Sequence, residues 1–209
     1  MASLKAKENI LKKIRKALSN PVPLPFPQSE GLASVFHPPS DDLTILFAEE
    51  FTRLQGKFAY CTDESVLTEQ LIQLFKQQHW SEIYFSEPAI ITLLSSSVIP
   101  AENLAHCDVS ITLCENLVAR TGTMVLSAAQ QQGRTVSVYA PVHICIAYTS
   151  QMVYDIKDAL QSIKERYTNI PSLISFASGP SRTADIEKTL VTGVHGPKEV
   201  YCFLVENGF

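Results

Sequence analysis

From residue 40 onward, stretches with helical periodicity alternate with short runs rich in β-branched and aromatic residues, and this alternation restricts the fold more than any other feature of the sequence. Ser40 can cap a helix running to about Leu54, with Leu43, Phe47, Phe51 and Leu54 along one face. Lys57–Cys61 reads as a strand. Thr62 or Asp63 opens a second helix carrying Val66, Leu67, Leu71, Leu74 and Phe75. Glu82–Phe85 is a strand, Ile90–Leu94 a short helix after Pro88, and Asp108–Leu113 a strand. Strands separated by helices pair in parallel, with the helices covering the sheet.

The middle of the chain differs. Thr123–Ser127, Thr135–Tyr139 and Ile144–Tyr148 read as three strands in quick succession, with Gly133 marking the first turn. Their connections are too short for helical crossovers, which predicts antiparallel pairing. Val153–Tyr167 reads as a helix, Leu173–Ala177 as a strand, Ser181–Leu190 as a helix and Val200–Val205 as a last strand. The expected architecture is α/β: a three-layer open sheet, mostly parallel, with an antiparallel insertion.

The first 39 residues are of another kind. Ser3–Leu18 has helical periodicity, with Leu4, Leu11, Ile14 and Leu18 on one side and lysines opposite. Alternating prolines at Pro21, Pro23, Pro25 and Pro27 then forbid a helix or a central strand and impose an extended strap bearing Leu24 and Phe26. The expected division is an arm over 1–39 and an α/β domain over 40–209. The arm is a candidate association element, for instance in a homo-oligomer.

Charge divides the same way. Residues 1–19 hold six basic groups and one acid, Glu8, for a net +5; the chain total of −4 leaves −9 for the remainder. An acidic body argues against nucleic-acid binding. The basic start reads first as the solvated face of a terminal helix, with an anionic surface or an acidic partner as the alternative. The apolar stretches, such as His143–Tyr148, are strand-sized and fall short of the roughly 18–20 residues of a membrane span. With no secretory apolar segment at the start, a cytoplasmic location is expected. The five cysteines, Cys61, Cys107, Cys114, Cys145 and Cys202, are scattered and form no Cys-x-x-Cys pair. They read as buried, reduced thiols, and no metal site is expected.

Three segments at predicted strand edges look chemically special: Thr121-Gly122-Thr123, Pro141-Val142-His143, and Ser178-Gly179-Pro180-Ser181-Arg182-Thr183-Ala184-Asp185-Ile186-Glu187. The last follows a predicted strand and opens a predicted helix, the place where open α/β sheets bind ligands. Gly179 permits close backbone approach. Ser181 is a plausible N-cap, with Thr183, Asp185 and Glu187 in or near the first turn. Free N–H groups at a helix start bind anions, and Arg182 adds a charged fork for carboxylate or phosphate. The chain then reaches Gly193-Val194-His195-Gly196-Pro197. His143 and His195 suit hydrogen bonding to a substrate or proton transfer. No P-loop, dinucleotide fingerprint or nucleophile elbow is present. No spacing pairs Asp108, Asp185 and Glu187 as acid and base, so no catalytic residue is assigned.

Taken in order, Thr121-Gly122-Thr123, Gly133-Arg134, Pro141-Val142-His143-Ile144, the run 178–187 and Gly193-Val194-His195-Gly196-Pro197 resemble the lactate-utilisation (LUD) domain family, in particular its protein C branch; Ile14-Arg15-Lys16-Ala17-Leu18 resembles that branch too. The resemblance spans roughly the whole chain and is most specific from 115 to 205. It implies the α/β fold shared with sugar-phosphate isomerases and coenzyme A transferases. It also implies a component of a bacterial system that oxidises L-lactate to pyruvate, with iron–sulfur clusters in partner subunits and none in this chain. Arg120 departs from the family, whose members often carry an acid at that position. Three readings stay open: a lactate-utilisation component binding a small anionic metabolite, a stand-alone isomerase- or transferase-like enzyme, and a non-catalytic metabolite-binding subunit.

Overall fold

The structure, a computed structural model, describes residues 2–19, 42–130, 135–186 and 189–206. The chain forms two units, Met1–Pro38 and Pro39–Phe209. In the first unit, α1 spans Ala2–Leu18. The proline strap with Leu24 and Phe26 lies outside the described residues, as do Gly133, Arg134 and Glu187.

The second unit is built on a parallel sheet of β1 (Lys57–Cys61), β2 (Ile83–Tyr84), β3 (Val109–Leu113), β6 (Val142–Tyr148) and β11 (Glu199–Val205), in the order β1-β11-β6-β3-β2. All four pairings are parallel. Buried on both faces, β6 and β11 read as near-continuous apolar runs, as parallel strands do. One face packs Val109, Ile111, Ile144, Ile146 and Phe203 against α3 (Glu64–Gln78) and α4 (Pro88–Leu94). The other packs Cys145, Ala147, Cys202 and Leu204 against α2 (Leu43–Arg53) and a second sheet.

That second sheet holds β4 (Asn116–Val118), β5 (Thr123–Ser127), β7 (Met152–Val153) and β8 (Ile174–Ala177), in the order β7-β4-β5-β8. Its two faces obey the period of two: Leu117, Met124 and Leu126 face the parallel sheet, while Val118 and Val125 face Ala159 and Ile163 of α6 (Ile156–Arg166).

Acidic caps set the helix starts. Asp42, rather than Ser40, begins α2 by accepting from the Thr44 N–H at 2.8 Å. Asp63 accepts from the Ser65 hydroxyl and from the N–H groups of Val66 and Ser65, and these bonds lower its carboxyl pKa to about 2. Asp155 caps α6, which starts at Ile156, three residues later than the periodicity suggests, because Met152 and Val153 are used by β7.

Three sequence expectations are corrected. Ile144–Tyr148 is not antiparallel to Thr123–Ser127: the two belong to different sheets, and β6 is the centre of the parallel one. A short connection suffices because the chain crosses between stacked sheets rather than within one. Thr135–Tyr139 is no strand; Val136–Tyr139 forms the single-turn helix α5. A strand would place Val136 and Val138 on one face, whereas Val136 is buried and Val138 is 45% exposed. Finally, Ser181–Leu190 is no helix. Arg182–Ile186 (β9) and Thr189–Thr192 (β10) form an antiparallel hairpin. The β-branched residues Thr183, Ile186, Thr189, Val191 and Thr192 favour extended backbone once two strands can pair.

Candidate functional site

Loss of that helix changes the site. No helix start exists at Ser181 to offer free N–H groups to an anion. Moreover, Ser178 follows a strand of the second sheet, so the rule for carboxyl ends of parallel strands does not govern this loop. Instead, the chain is strapped by backbone bonds: Ser181 N–H donates to the Pro197 carbonyl at 3.0 Å, and Gly193 N–H to the Ser181 carbonyl at 2.9 Å.

These straps bring three remote segments to one cavity of about 300 Å³. His143 enters from the start of β6, Ser178–Ser181 from the end of β8, and His195–Pro197 from the approach to β11. Leu126, Phe176 and Val200 supply apolar wall, and Ser137 a further hydroxyl. The cavity therefore lies at the amino ends of β6 and β11.

His143 is 1% exposed. Its Nε2 lies 2.8 Å from Thr112 Oγ1, one strand away on β3. Nδ1 has no hydrogen-bond partner among the described residues. Burial favours the neutral ring and pushes its pKa down to about 4. The cavity thus receives an uncharged imidazole that can donate or accept, according to its tautomer. His195 lies at the rim and is exposed.

Thr121, Gly122 and Thr123 stand beside the cavity rather than in its lining. Thr123 Oγ1 is 2.7 Å from Thr121 Oγ1 and 2.6 Å from Ser178 Oγ, a chain of hydroxyls that ties this turn to the 178–181 loop. Gly122 adopts φ +54°, and a Cβ there would come 2.4 Å from the Phe51 nitrogen in α2. Gly179 adopts φ +96°, and its Cβ would meet the Leu54 carbonyl oxygen at 2.6 Å. The close approaches these glycines permit are to the end of α2.

Arg182 also turns to that helix end: its Nη2 donates to the Leu54 carbonyl, just where a helix C-terminus favours a cation. The side chain is exposed and is not part of the described lining. Thr183 is half-buried in β9 and is not part of the described lining, and Asp185 belongs to the same strand. Glu187 lies outside the described residues. Arg120 grips Asp155 with two bonds of 2.9 Å, which lower the carboxyl's pKa and fix the cap of α6.

Sequence reasoning missed Thr112, which orients His143, and Ser137 in the lining. Thr112 had a signal: it and Ser110 are the two polar residues of β3, set among Val109, Ile111 and Leu113. All five cysteines are buried and free, and among the described residues no group of three or more His, Cys, Asp or Glu is placed to hold a metal. No described helix is long and apolar enough to cross a membrane.

The chain is similar to known proteins in fold and in sequence. A DUF162 family protein from Deinococcus radiodurans superposes with a TM-score of 0.54 at 18% identity, covering 78% of this chain and 96% of that one, a likeness of fold. An uncharacterised protein of Neisseria meningitidis serogroup B is 40% identical over 83 residues, 40% of this chain and 36% of that protein. Lactate utilization protein C of Bacillus licheniformis is 37% identical over 105 residues, 49% of this chain and 44% of that protein. The protein of that name in Shouchella clausii is 39% identical over 106 residues, 50% of this chain and 46% of that protein. The matched stretch thus spans less than half the length of these relatives. The LUD domain matches residues 100–205, which include β3 to β11 and every segment lining the cavity. The chain belongs to the LUD domain family.

Proposed function

We propose that this chain is a component of a bacterial lactate-utilisation system, which oxidises L-lactate to pyruvate, and that it binds a small anionic metabolite in the His143 cavity. The observation that carries the reading is convergence: His143, Ser178–Ser181 and His195–Pro197, far apart in sequence, line one cavity. Relatives named lactate utilization protein C, 35–40% identical over half the chain, support the process. The described lining suits recognition by hydrogen bonds: the hydroxyls of Ser137, Ser178 and Ser181 with the neutral imidazole of His143 match the hydroxyl and carboxylate oxygens of a hydroxy acid. Arg182 gives Leu54 one of its five N–H donors, leaving others for an anion at the loop. On this reading iron–sulfur partner subunits carry the electrons and the chain works in the cytoplasm.

A thermal-shift screen of the purified chain tests the proposal, since a ligand that binds only the folded state raises the melting temperature. L-Lactate, pyruvate or another small hydroxy or keto acid is expected to stabilise the protein, and His143→Phe to abolish the effect. Stabilisation by sugar phosphates or coenzyme A alone would move the assignment to an isomerase- or transferase-like enzyme. Turnover of any of these by the isolated chain would do the same.

A further inference from the structure

Beside the His143 cavity lies a second hollow of about 370 Å³. Two segments run past both. Along α5, Ser137 lines the first hollow, Val138 both and Tyr139 the second. Along the approach to β11, Pro197 lines the first, Gly196 and His195 both and Val194 the second. The hollows therefore adjoin, and at Gly196 the divide between them carries no side chain. Their chemistry differs. The first offers the hydroxyls of Ser137, Ser178 and Ser181 and the imidazole of His143. The second is mostly apolar: Tyr139 is 63% exposed and Val194 42%, and the Lys198 stem lies against Gly193, where a Cβ would collide with it. Among the described residues lining the two hollows, Lys198 alone carries a fixed charge, and there is no carboxylate.

We propose that the ligand is an α-hydroxy or α-keto acid with an aromatic side chain, its polar head beside His143 and its ring against Tyr139 and Val194 in the second hollow. The inference rests on the reading of the His143 cavity as an acid site and extends it to the rest of the bound molecule. A three-carbon acid reaches one hollow only and leaves Tyr139 and Val194 in water. A ring that covers them gains buried apolar area and an aromatic contact. A sugar-like tail would find few hydroxyl partners in the second hollow, and a cationic tail no carboxylate. A second anionic group would meet Lys198, whose exposure lets water and salt screen the attraction.

Calorimetric titration of the full chain with L-lactate, L-phenyllactate and L-malate tests this. L-Phenyllactate is expected to bind at least about tenfold more tightly than L-lactate, because even one methylene well placed in an apolar pocket is worth about tenfold or more. Tyr139→Ser with Val194→Ser should bring the two affinities to within about threefold of each other. The melting temperature should stay unchanged, since both side chains are exposed. Equal binding of L-lactate and L-phenyllactate by the parent would overturn the proposal and leave the acid site standing. A preference for L-malate over both would overturn it in favour of a charged tail at Lys198. An advantage of L-phenyllactate undiminished in the variant would put the ring elsewhere and overturn it as well. If none of the three acids binds, the proposal falls together with the reading on which it rests.

Discussion

His143 and Thr112 face each other across neighbouring parallel strands, with Nε2 and Oγ1 2.8 Å apart in a place that water does not reach. The contact holds one ring nitrogen and leaves the other for the cavity. Replacing Thr112 by Val keeps the shape but removes the partner. A buried polar group left unpaired costs about 1–3 kcal/mol, so denaturant unfolding of Thr112→Val should show a loss of that size. Ligand affinity should fall as well, because the ring loses its orientation. Unchanged stability would mean that the imidazole finds another partner.

The same histidine makes stability depend on pH. Its folded pKa of about 4 lies below the unfolded value, so the unfolded chain binds the extra proton. Stability is therefore full above about pH 6.5 and falls as the pH is lowered toward 4, by roughly 3 kcal/mol in all. Urea titrations between pH 7 and pH 4 should show this decline, and His143→Phe should flatten it.

Gly122 and Gly179 hold two turns against α2. Gly122→Ala places a methyl group 2.4 Å from the Phe51 nitrogen at φ +54°. Left-handed backbone strain costs about 1–3 kcal/mol, and α2 must also shift, so a loss above about 2 kcal/mol is expected. Gly179→Ala should do likewise and also distort the cavity wall. Calorimetric melting of both variants checks this.

Glu115 is a buried carboxylate, 1% exposed, that accepts from Arg166 at 2.5 Å, Ser127 at 2.6 Å and Tyr167 at 2.9 Å. It joins the second sheet to α6. Removing a partner strands the charge, a loss of about 3–5 kcal/mol for fully buried pairs. Arg166 is 44% exposed, which lets water replace it in part. Arg166→Met is therefore expected to cost about 2 kcal/mol by denaturant unfolding. A loss near zero would show that Ser127 and Tyr167 suffice.

Arg182→Ala separates two roles. As an anion fork in the proposed site, Arg182 is worth about 1.5–3 kcal/mol of ligand binding. Its exposed bond to Leu54 predicts only a small drop in melting temperature. Weakened binding in a stable protein supports the fork, and unchanged affinity removes Arg182 from the site.

Burial raises the thiol pKa of Cys202 well above the usual value and that of Cys107 more modestly. For Cys145, the hydrogen bond with Cys114 comes first and burial adds to it, and together they raise the thiol pKa well above the usual value. Thiolate is the reactive form, so these residues should resist alkylation until the protein unfolds. Rapid labelling of the native chain would contradict the packing.

Local chemistry in the sequence settled the elements whose signals are local. The Phe47–Phe51 face of α2, the Asp63 cap of α3 and the apolar runs of β6 and β11 were all legible, because periodicity, caps and strand-sized apolar runs act over a few residues. Which strands pair was not. The antiparallel reading of Ile144–Tyr148 failed because a parallel strand buried on both faces and a strand of a stacked sheet carry the same apolar run. The run from Ser181 reads as a helix start by itself, and only cross-strand pairing with Thr189–Thr192 makes Arg182–Ile186 a strand. The cavity, too, depends on bonds between residues 181, 193 and 197 and on a contact from residue 112 to residue 143. Backbone hydrogen bonds and buried side chains must find partners, and where several are compatible with the local sequence, the packed tertiary structure decides which are reached.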